Sequence, residues 1–344
     1  MSFSFKKLDS VFIVAELSAN HNGSLEIAKE TIKAAKRAGA DAIKLQTYTP
    51  DTITIKSQKD DFLIKNNSIW DGKYLYDLYS EAYTPWDWHK ELFTISKDIG
   101  LECFSTPFDK TSVDFLEELN IPIYKIASFE ITDIPLIEYI ASKGKPIILS
   151  TGIADLNDIE AAINAIRRIG NNEIALLKCT SSYPAPAEES NLVMIKDYRE
   201  RFNLITGLSD HTLGIQAPII ATSLGAKIIE KHFIIDKSVG GPDSTFSLDE
   251  DEFSKMVSAI RETEIYMGTI NYNLSKRQVL SKQFSRSLYV TKKIKKGDVF
   301  SERNVQSKRP GYGLHPKHLK DILGKTSNQD IDIGERFDLK FISK

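Results

Sequence analysis

The chain has 344 residues, 41% of them hydrophobic and 27% charged, with a formal net charge of −2. That composition suits a soluble globular protein with one barrel-sized domain and a smaller one, and no apolar run approaches the roughly 18 residues a membrane span needs. The N-terminus MSFSFKKLDSVFIVAEL has no leader pattern, and the two cysteines, Cys103 and Cys179, lack CxxC spacing, which argues against a disulfide framework or thiolate zinc site and for a cytoplasmic protein.

Eight apolar runs recur in the first 235 or so residues: VFIVAELSA (11–19), AIKLQTY (42–48), LECFSTPF (101–108), IYKIASFE (123–130), PIILSTG (146–152), IALLKCTSSY (174–183), LITGLSDH (204–211) and AKIIEKHF (226–233). Their Ile, Val, Leu and Phe content is that of parallel strands buried on both faces. After the first run, SLEIAKETIKAAKRA (24–38) places apolar residues at helical spacing behind a Ser cap and stops before Gly39. The stretch 50–84 is too long for a simple βα loop and predicts an excursion at one barrel face, with a hairpin as its candidate form. Helical patterns follow at about 85–99, 111–119, 133–143, 156–169 and 213–224, and LDEDEFSKMVSAIRETEIYMG reads as a closing helix. Eight alternations favour a closed (β/α)8 TIM barrel over an open doubly wound sheet. We place the barrel at 1–270, a linker at 271–284 and a small mixed domain at 285–344. That last segment holds 14 Lys and Arg against 7 Asp and Glu, which fits a small soluble domain or a basic lid over an anionic substrate better than a nucleic-acid surface.

In such a barrel the active site lies at the C-terminal ends of the strands. Those ends carry Glu16, Ser18 and Asn20; Lys44 and Gln46; Ser105 and Thr106; Lys125, Ser128 and Glu130; Ser150 and Thr151; Thr180, Ser181 and Tyr183; Ser209, Asp210 and His211; Glu230 and His232. A polar strand end has a bland explanation, since strand ends meet water, but eight alike point to one shared site. Lys44 and Lys125 interrupt strands that should be buried, where a lone ammonium is costly. They suit a phosphate or carboxylate, a Schiff base on one of them, or a structural ion pair with Glu16 or Glu130. His211 and His232 would end neighbouring strands, where two imidazoles with oxygen donors suit an open divalent-metal site; two locally hydrogen-bonded histidines are an equal alternative. His21 lies just past the first strand, His89 reads as structural, and His315 and His318 flank a proline turn.

The series AELSANHNGSLEIAKETIKAAKRAGADAIKLQTY, FSTPF, YKIASFE, STGIA, KCTSSYP, GLSDHTLG, GAKIIEKHF and GPDSTFSLD resembles the sialic acid (nonulosonate) synthase family over nearly the whole chain. The tail from SRSLYV, with KKGDVFSERNVQSKRPGYGL, is similar to that family's antifreeze-like (SAF, β-clip) domain. AELSANHNGS, QTYTPDTITI, the 61–89 segment and RPGYGLHPKHL resemble the pseudaminic branch; Ser181, where sialic acid synthases usually carry Asn, points the same way. The resemblance implies a phosphoenolpyruvate-dependent transferase that condenses phosphoenolpyruvate with an open-chain N-acetylated amino sugar, with C–O cleavage and phosphate release. A sister enzyme making N-acetylneuraminate or legionaminate is the alternative, and a non-catalytic binder would lack the lysines and histidines present here. It implies Mn²⁺, Mg²⁺ or Co²⁺ on His211 and His232, and proton handling by Glu16 and Glu230. It also implies phosphoenolpyruvate contacts from Lys44, Thr106, Lys125, Ser128, Ser150, Ser181 and Ser209, and sugar contacts from Gln46, Glu130, Tyr183 and Asp243. Arg309 would reach an acetamido group across a domain-swapped homodimer.

Overall fold

A computed structural model describes residues 3–65 and 69–343. Eight parallel strands close into a barrel in sequence order: β1 (Phe12–Glu16), β2 (Ala42–Thr47), β3 (Glu102–Pro107), β4 (Tyr124–Ile126), β5 (Ile147–Ser150), β6 (Ile174–Cys179), β7 (Ile205–Asp210) and β8 (Ile228–His232). Helices surround them, and Glu250–Met267 follows the last strand behind an Asp249 cap and capping box. Among the described residues, no helix is long and apolar enough to cross a membrane.

Strand alternation explains how one barrel has both a core and a site. Phe12, Val14, Ala42, Phe104, Ile123, Ile148, Ala175, Leu177 and Ile228 form one inner cluster, joined by Phe5. Residues between them in the strands, such as Ile13, Ile43, Leu45, Ile126, Leu149, Leu176 and Ile229, belong instead to the two clusters under the helices. Inward positions are thus apolar at the start of each strand. Two residues further along, the same inward series becomes polar: Glu16 follows Val14, Lys44 follows Ala42, Thr106 follows Phe104, Lys125 follows Ile123, Ser150 follows Ile148 and Glu230 follows Ile228.

Two expectations need amendment. Met194–Phe202, between β6 and β7, is a helix that the sequence reading passed over. Its polar face dominates, and only Ile195, Tyr198 and Phe202 are buried, at spacings of three and four. The long insert is mostly helical: Pro50–Ile53 and Leu75–Ala82 are helices, and the hairpin reduces to a single antiparallel bridge, Leu63 with Tyr74.

The chain divides into two compact units, Met1–Gly268 and Thr269–Lys344. The expected linker contains a helix, Lys276–Ser281. The second unit pairs β9 (Ser287–Val290) with β10 (Val305–Lys308) antiparallel around its own core of Leu288, Val290, Ile294, Phe300, Val305, Ile322, Ile331, Phe337 and Phe341.

Two histidines serve the scaffold. His89 Nε2 accepts from the Thr47 hydroxyl at 2.8 Å, and its Nδ1 donates to the Pro85 carbonyl at 3.2 Å. His21 Nδ1 accepts from the Gly23 N–H at 3.1 Å. Burial pushes both imidazoles down to about 4. The folded state therefore binds fewer protons than the unfolded chain between pH 6.5 and 4, and each histidine's contribution is lost as pH falls through that window. Buried carboxyls titrate in the opposite sense, so the readout is a difference. From pH 7.5 to 4, the stability advantage of the parent over His89→Gln is expected to shrink by about 3 kcal/mol. Urea midpoints at the two pH values check this; a constant difference would refute a neutral buried His89.

Candidate active site

The polar layer at the C-terminal ends of the strands is one connected cluster. Lys44, from β2, lies 2.7 Å from Glu16 Oε2 of β1 and 3.7 Å from Glu230 Oε1 of β8, and donates to Thr106 Oγ1 of β3 at 3.3 Å. Lys125 Nζ, from β4, approaches the same Glu230 oxygen at 3.8 Å and donates to the Ile126 carbonyl at 3.1 Å. Ser209 donates to Glu230 Oε1 at 3.0 Å across a register that sets these two residues side by side. Gln46 Nε2 donates to Glu16 Oε1 at 3.0 Å and Ser18 Oγ at 2.9 Å, and Ser18 donates to Asp243.

The structural ion pair expected for the lysines is present, with Glu16 and Glu230 rather than with Glu130. Two ammonium groups meet the carboxylates Glu16 and Glu230, with the hydroxyls of Thr106 and Ser209 bonded into the same cluster. The Ser150 hydroxyl and Glu230 Oε2 are buried without a hydrogen-bond partner, as is Glu130 Oε2. Unpartnered buried polar atoms are costly and mark a place shaped for a ligand. On one side Ser128 Oγ accepts from the Gly152 N–H at 2.9 Å. A Cβ at Gly152 would stand 2.0 Å from Ser181 Oγ and 2.7 Å from Ser128 Oγ, so only glycine lets both serines keep their places.

Electrostatics divide the cluster. Burial, reinforced by Glu230, raises the Glu16 carboxyl to about 7 against the pull of Lys44. Burial also acts on Glu230, but Lys125 and Lys44 outweigh it and hold that carboxyl below its usual range. Burial moves Lys125 down, whereas Lys44 is raised because Glu16 and Glu230 outweigh its desolvation. Burial lifts Glu130 to about 7 and Asp243 above its ordinary value. Two carboxyls of one cluster thus titrate far apart, which is how a site separates proton-transfer roles.

His211 and His232 meet with ring centroids 5.3 Å apart. His211 Nδ1 donates to the Thr180 carbonyl at 2.9 Å, so Nε2 is the nitrogen left for a metal; burial opposes the charge on this ring, but Cys179 outweighs it and raises the imidazole above its ordinary value, so a metal would displace the Nε2 proton. His232 Nδ1 is buried with no hydrogen-bond partner and lies 3.8 Å from Asp243 Oδ2. Burial and the neighbouring His211 push His232 well below its ordinary value, so it is neutral. Two oriented imidazoles, one with a bare nitrogen, fit an open divalent-metal site with oxygen donors beside it. Among the described residues, no group of three or more His, Cys, Asp and Glu side chains forms a closed metal cage.

Three neighbours of the histidines and Tyr183 are not among the strand-end candidates. Phe246 stands edge-on to His232 at 4.8 Å and packs on Tyr183 at 5.4 Å. Tyr183 in turn lies 4.4 Å from the His211 ring. Trp70, from the long insert, packs on Tyr183 at 5.3 Å and donates Nε1 to the Pro242 carbonyl at 3.2 Å. The buried Cys179 thiol sits 3.9 Å from His211 Nδ1. Burial would raise that thiol, but His211, Ser128 and Lys125 together outweigh it and bring it to about 7. Phe246 and Trp70 lie in loops, where no periodicity advertises an aromatic; Cys179 ends β6, which is buried throughout, so its sequence does not show which face the thiol takes.

Three residues among the polar strand ends face away. Ser105 hydrogen-bonds Thr47 at 2.6 Å, Thr151 donates to the Leu177 carbonyl at 3.1 Å, and Asp210 pairs with Lys231. Ser105 and Asp210 occupy outward positions of their strands, and Thr151 directly follows Ser150, the last residue of β5. Arg309 lies in the second unit, on the turn after β10, where it is exposed.

The family model described as the NeuB family matches residues 31–272, and that of the SAF domain matches 285–336. The chain is 49% identical, over 94% of its length and 94% of the relative's, to a pseudaminic acid synthase of Campylobacter jejuni subsp. jejuni. It is 48% identical, over 92% of its length and 93% of the relative's, to a pseudaminic acid synthase of Helicobacter pylori. Among solved structures, the spore coat polysaccharide biosynthesis protein SpsE of Bacillus subtilis matches with a TM-score of 0.67 and 32% identity, covering 100% of this chain and 99% of that one.

Proposed function

The chain belongs to the NeuB family and carries a SAF domain, and from that premise we propose that it is a pseudaminic acid synthase. It is a transferase that joins phosphoenolpyruvate to 2,4-diacetamido-2,4,6-trideoxy-L-altrose, with water, to give pseudaminic acid and phosphate. The observation that carries the substrate is the 49% identity over 94% of both chains with a relative of that name; the buried polar cluster provides the matching chemistry. The enzyme works in the cytoplasm, where phosphoenolpyruvate is made.

Phosphoenolpyruvate brings a phosphate and a carboxylate, and the two buried lysines are the charges to receive them. Lys44 and Lys125 bind these groups, with Thr106, Ser128, Ser150, Ser181 and Ser209 as hydroxyl partners. C3 of phosphoenolpyruvate forms the new bond to the aldehyde carbon, water adds at C2, and the C2–O bond to phosphate breaks. Glu16 takes a proton from that water, and Glu230, held ionised by the lysines, keeps both ammonium groups in place. Gln46, Glu130, Tyr183 and Asp243 orient the sugar. His211 and His232 would hold the divalent ion, Mn²⁺, Mg²⁺ or Co²⁺, which when bound polarises the aldehyde and orients the attacking water. Arg309 of the partner subunit, in a domain-swapped homodimer, completes the acetamido pocket.

The test is phosphate release in the presence of phosphoenolpyruvate and Mn²⁺ across a sugar panel. The altrose derivative is expected to be turned over. Turnover of N-acetylmannosamine, or of the legionaminate precursor, without turnover of the altrose derivative would move the chain to a sister activity.

A further inference from the structure

Behind the histidines lies a buried charge pair that the reaction does not use. Lys231 is fully buried, and its ammonium lies 2.5 Å from Asp210 Oδ2, also buried. The two residues are register partners on β8 and β7. They occupy the outward parity of their strands, while Ser209 and Glu230, one residue earlier, pair inward at 3.0 Å. The residues that follow them in the chain are His211 and His232.

The connections continue around His211. The Lys231 ammonium also donates to the Thr212 carbonyl. Asp210 Oδ1 accepts from the Thr212 N–H at 3.0 Å, and Asp210 Oδ2 accepts from the Thr212 hydroxyl at 3.2 Å. The residues on both sides of His211, Asp210 through its carboxylate and Thr212 through its carbonyl, are therefore tied to one side chain, that of the residue immediately before His232. A buried ion pair seldom gains stability over a well-packed apolar pair of similar volume, so fold stability alone gives no reason for it here. What an apolar pair cannot reproduce is the directional tie from Lys231 to the turn carrying His211.

We propose that Asp210 and Lys231 are positioning residues that clamp the ends of β7 and β8 from outside the barrel and thereby set the separation of His211 and His232 for a divalent cation. The inference rests on the reading of those histidines as metal ligands. The pair touches neither metal nor substrate; it acts through the backbone of the residues that do.

The experiment measures Mn²⁺ binding to the full-length protein by calorimetry, alongside thermal unfolding without metal. The double variant Asp210→Leu/Lys231→Met removes both charges and orphans neither. It is expected to unfold within a few degrees of the parent and to bind Mn²⁺ about 10- to 100-fold more weakly, the usual effect of losing the groups that orient metal ligands. Asp210→Asn, nearly isosteric, is expected to weaken binding about tenfold; it decides the question by itself if the double variant does not fold. Either folded variant binding Mn²⁺ at the parent's affinity overturns the clamp. His232→Ala is the control that separates the two readings. If it binds Mn²⁺ like the parent, the metal assignment falls; if it loses binding while the pair variants do not, only the clamp falls.

Discussion

His232→Ala is expected to lower phosphate release about 10²- to 10³-fold while leaving the barrel folded. A divalent ion at a developing oxyanion is worth several kcal/mol of transition-state stabilisation, which converts to that range. The ring is a safe residue to remove, because its Nδ1 has no hydrogen-bond partner and its deletion orphans no other buried group. The loss is in packing against Phe246. Circular dichroism and a thermal melt check the fold, and phosphate release over a series of Mn²⁺ concentrations checks the activity. Extra Mn²⁺ is expected to restore part of the rate, since His211 keeps its place through the Thr180 carbonyl. Near-parental turnover would refute the metal assignment and return His232 to a locally packed side chain.

Glu16→Gln is expected to reduce kcat about 10²- to 10³-fold and to erase an acid limb of the pH profile near 7. The Glu16 carboxyl is held at about 7 by burial, so below that pH it is neutral and cannot accept a proton, and above it the carboxylate pairs with Lys44. Activity of the parent therefore rises with pH through 7 and levels off. Glutamine keeps the shape and the contact with Gln46 but cannot take the proton. Glu130 titrates near the same pH, which makes Glu130→Gln the necessary comparison. That variant is expected to weaken sugar binding, seen in KM, and to retain the limb. Should Glu130→Gln erase the limb and Glu16→Gln keep it, the proton acceptor has been assigned to the wrong carboxyl.

Much of this site was legible from the chain. All eight strands stood where the apolar runs placed them, and Glu16, Lys44, Gln46, Thr106, Lys125, Ser209, Glu230 and the two histidines gather in one layer. The misassigned strand-end residues share one cause. A strand of a parallel barrel is buried on both faces, so its sequence shows no in–out alternation. Ser105 and Thr106 are neighbours of similar chemistry, yet one joins the Thr47–His89 scaffold and the other faces Lys44. The run LSDH likewise looks uniform, although Asp210 points outward to Lys231 and the residues on either side of it contribute to the site.

The sequence by itself determined the order and number of elements, because the rhythm of apolar runs and amphipathic segments is a local property of the chain. It also determined which residue types could do chemistry, because a lysine or histidine at the end of a buried strand is costly without a purpose. Only the tertiary structure decided which of them share a site, since closure of the barrel sets each strand's parity and its register against its neighbours. It also decided what surrounds them. Phe246 and Trp70 reach the histidines and Tyr183 from loops far along the chain, and the proton-binding strength of Glu16 and Glu230 depends on which lysine each one meets across the barrel. Those are distances between strands, and a distance between strands exists only once the sheet has closed.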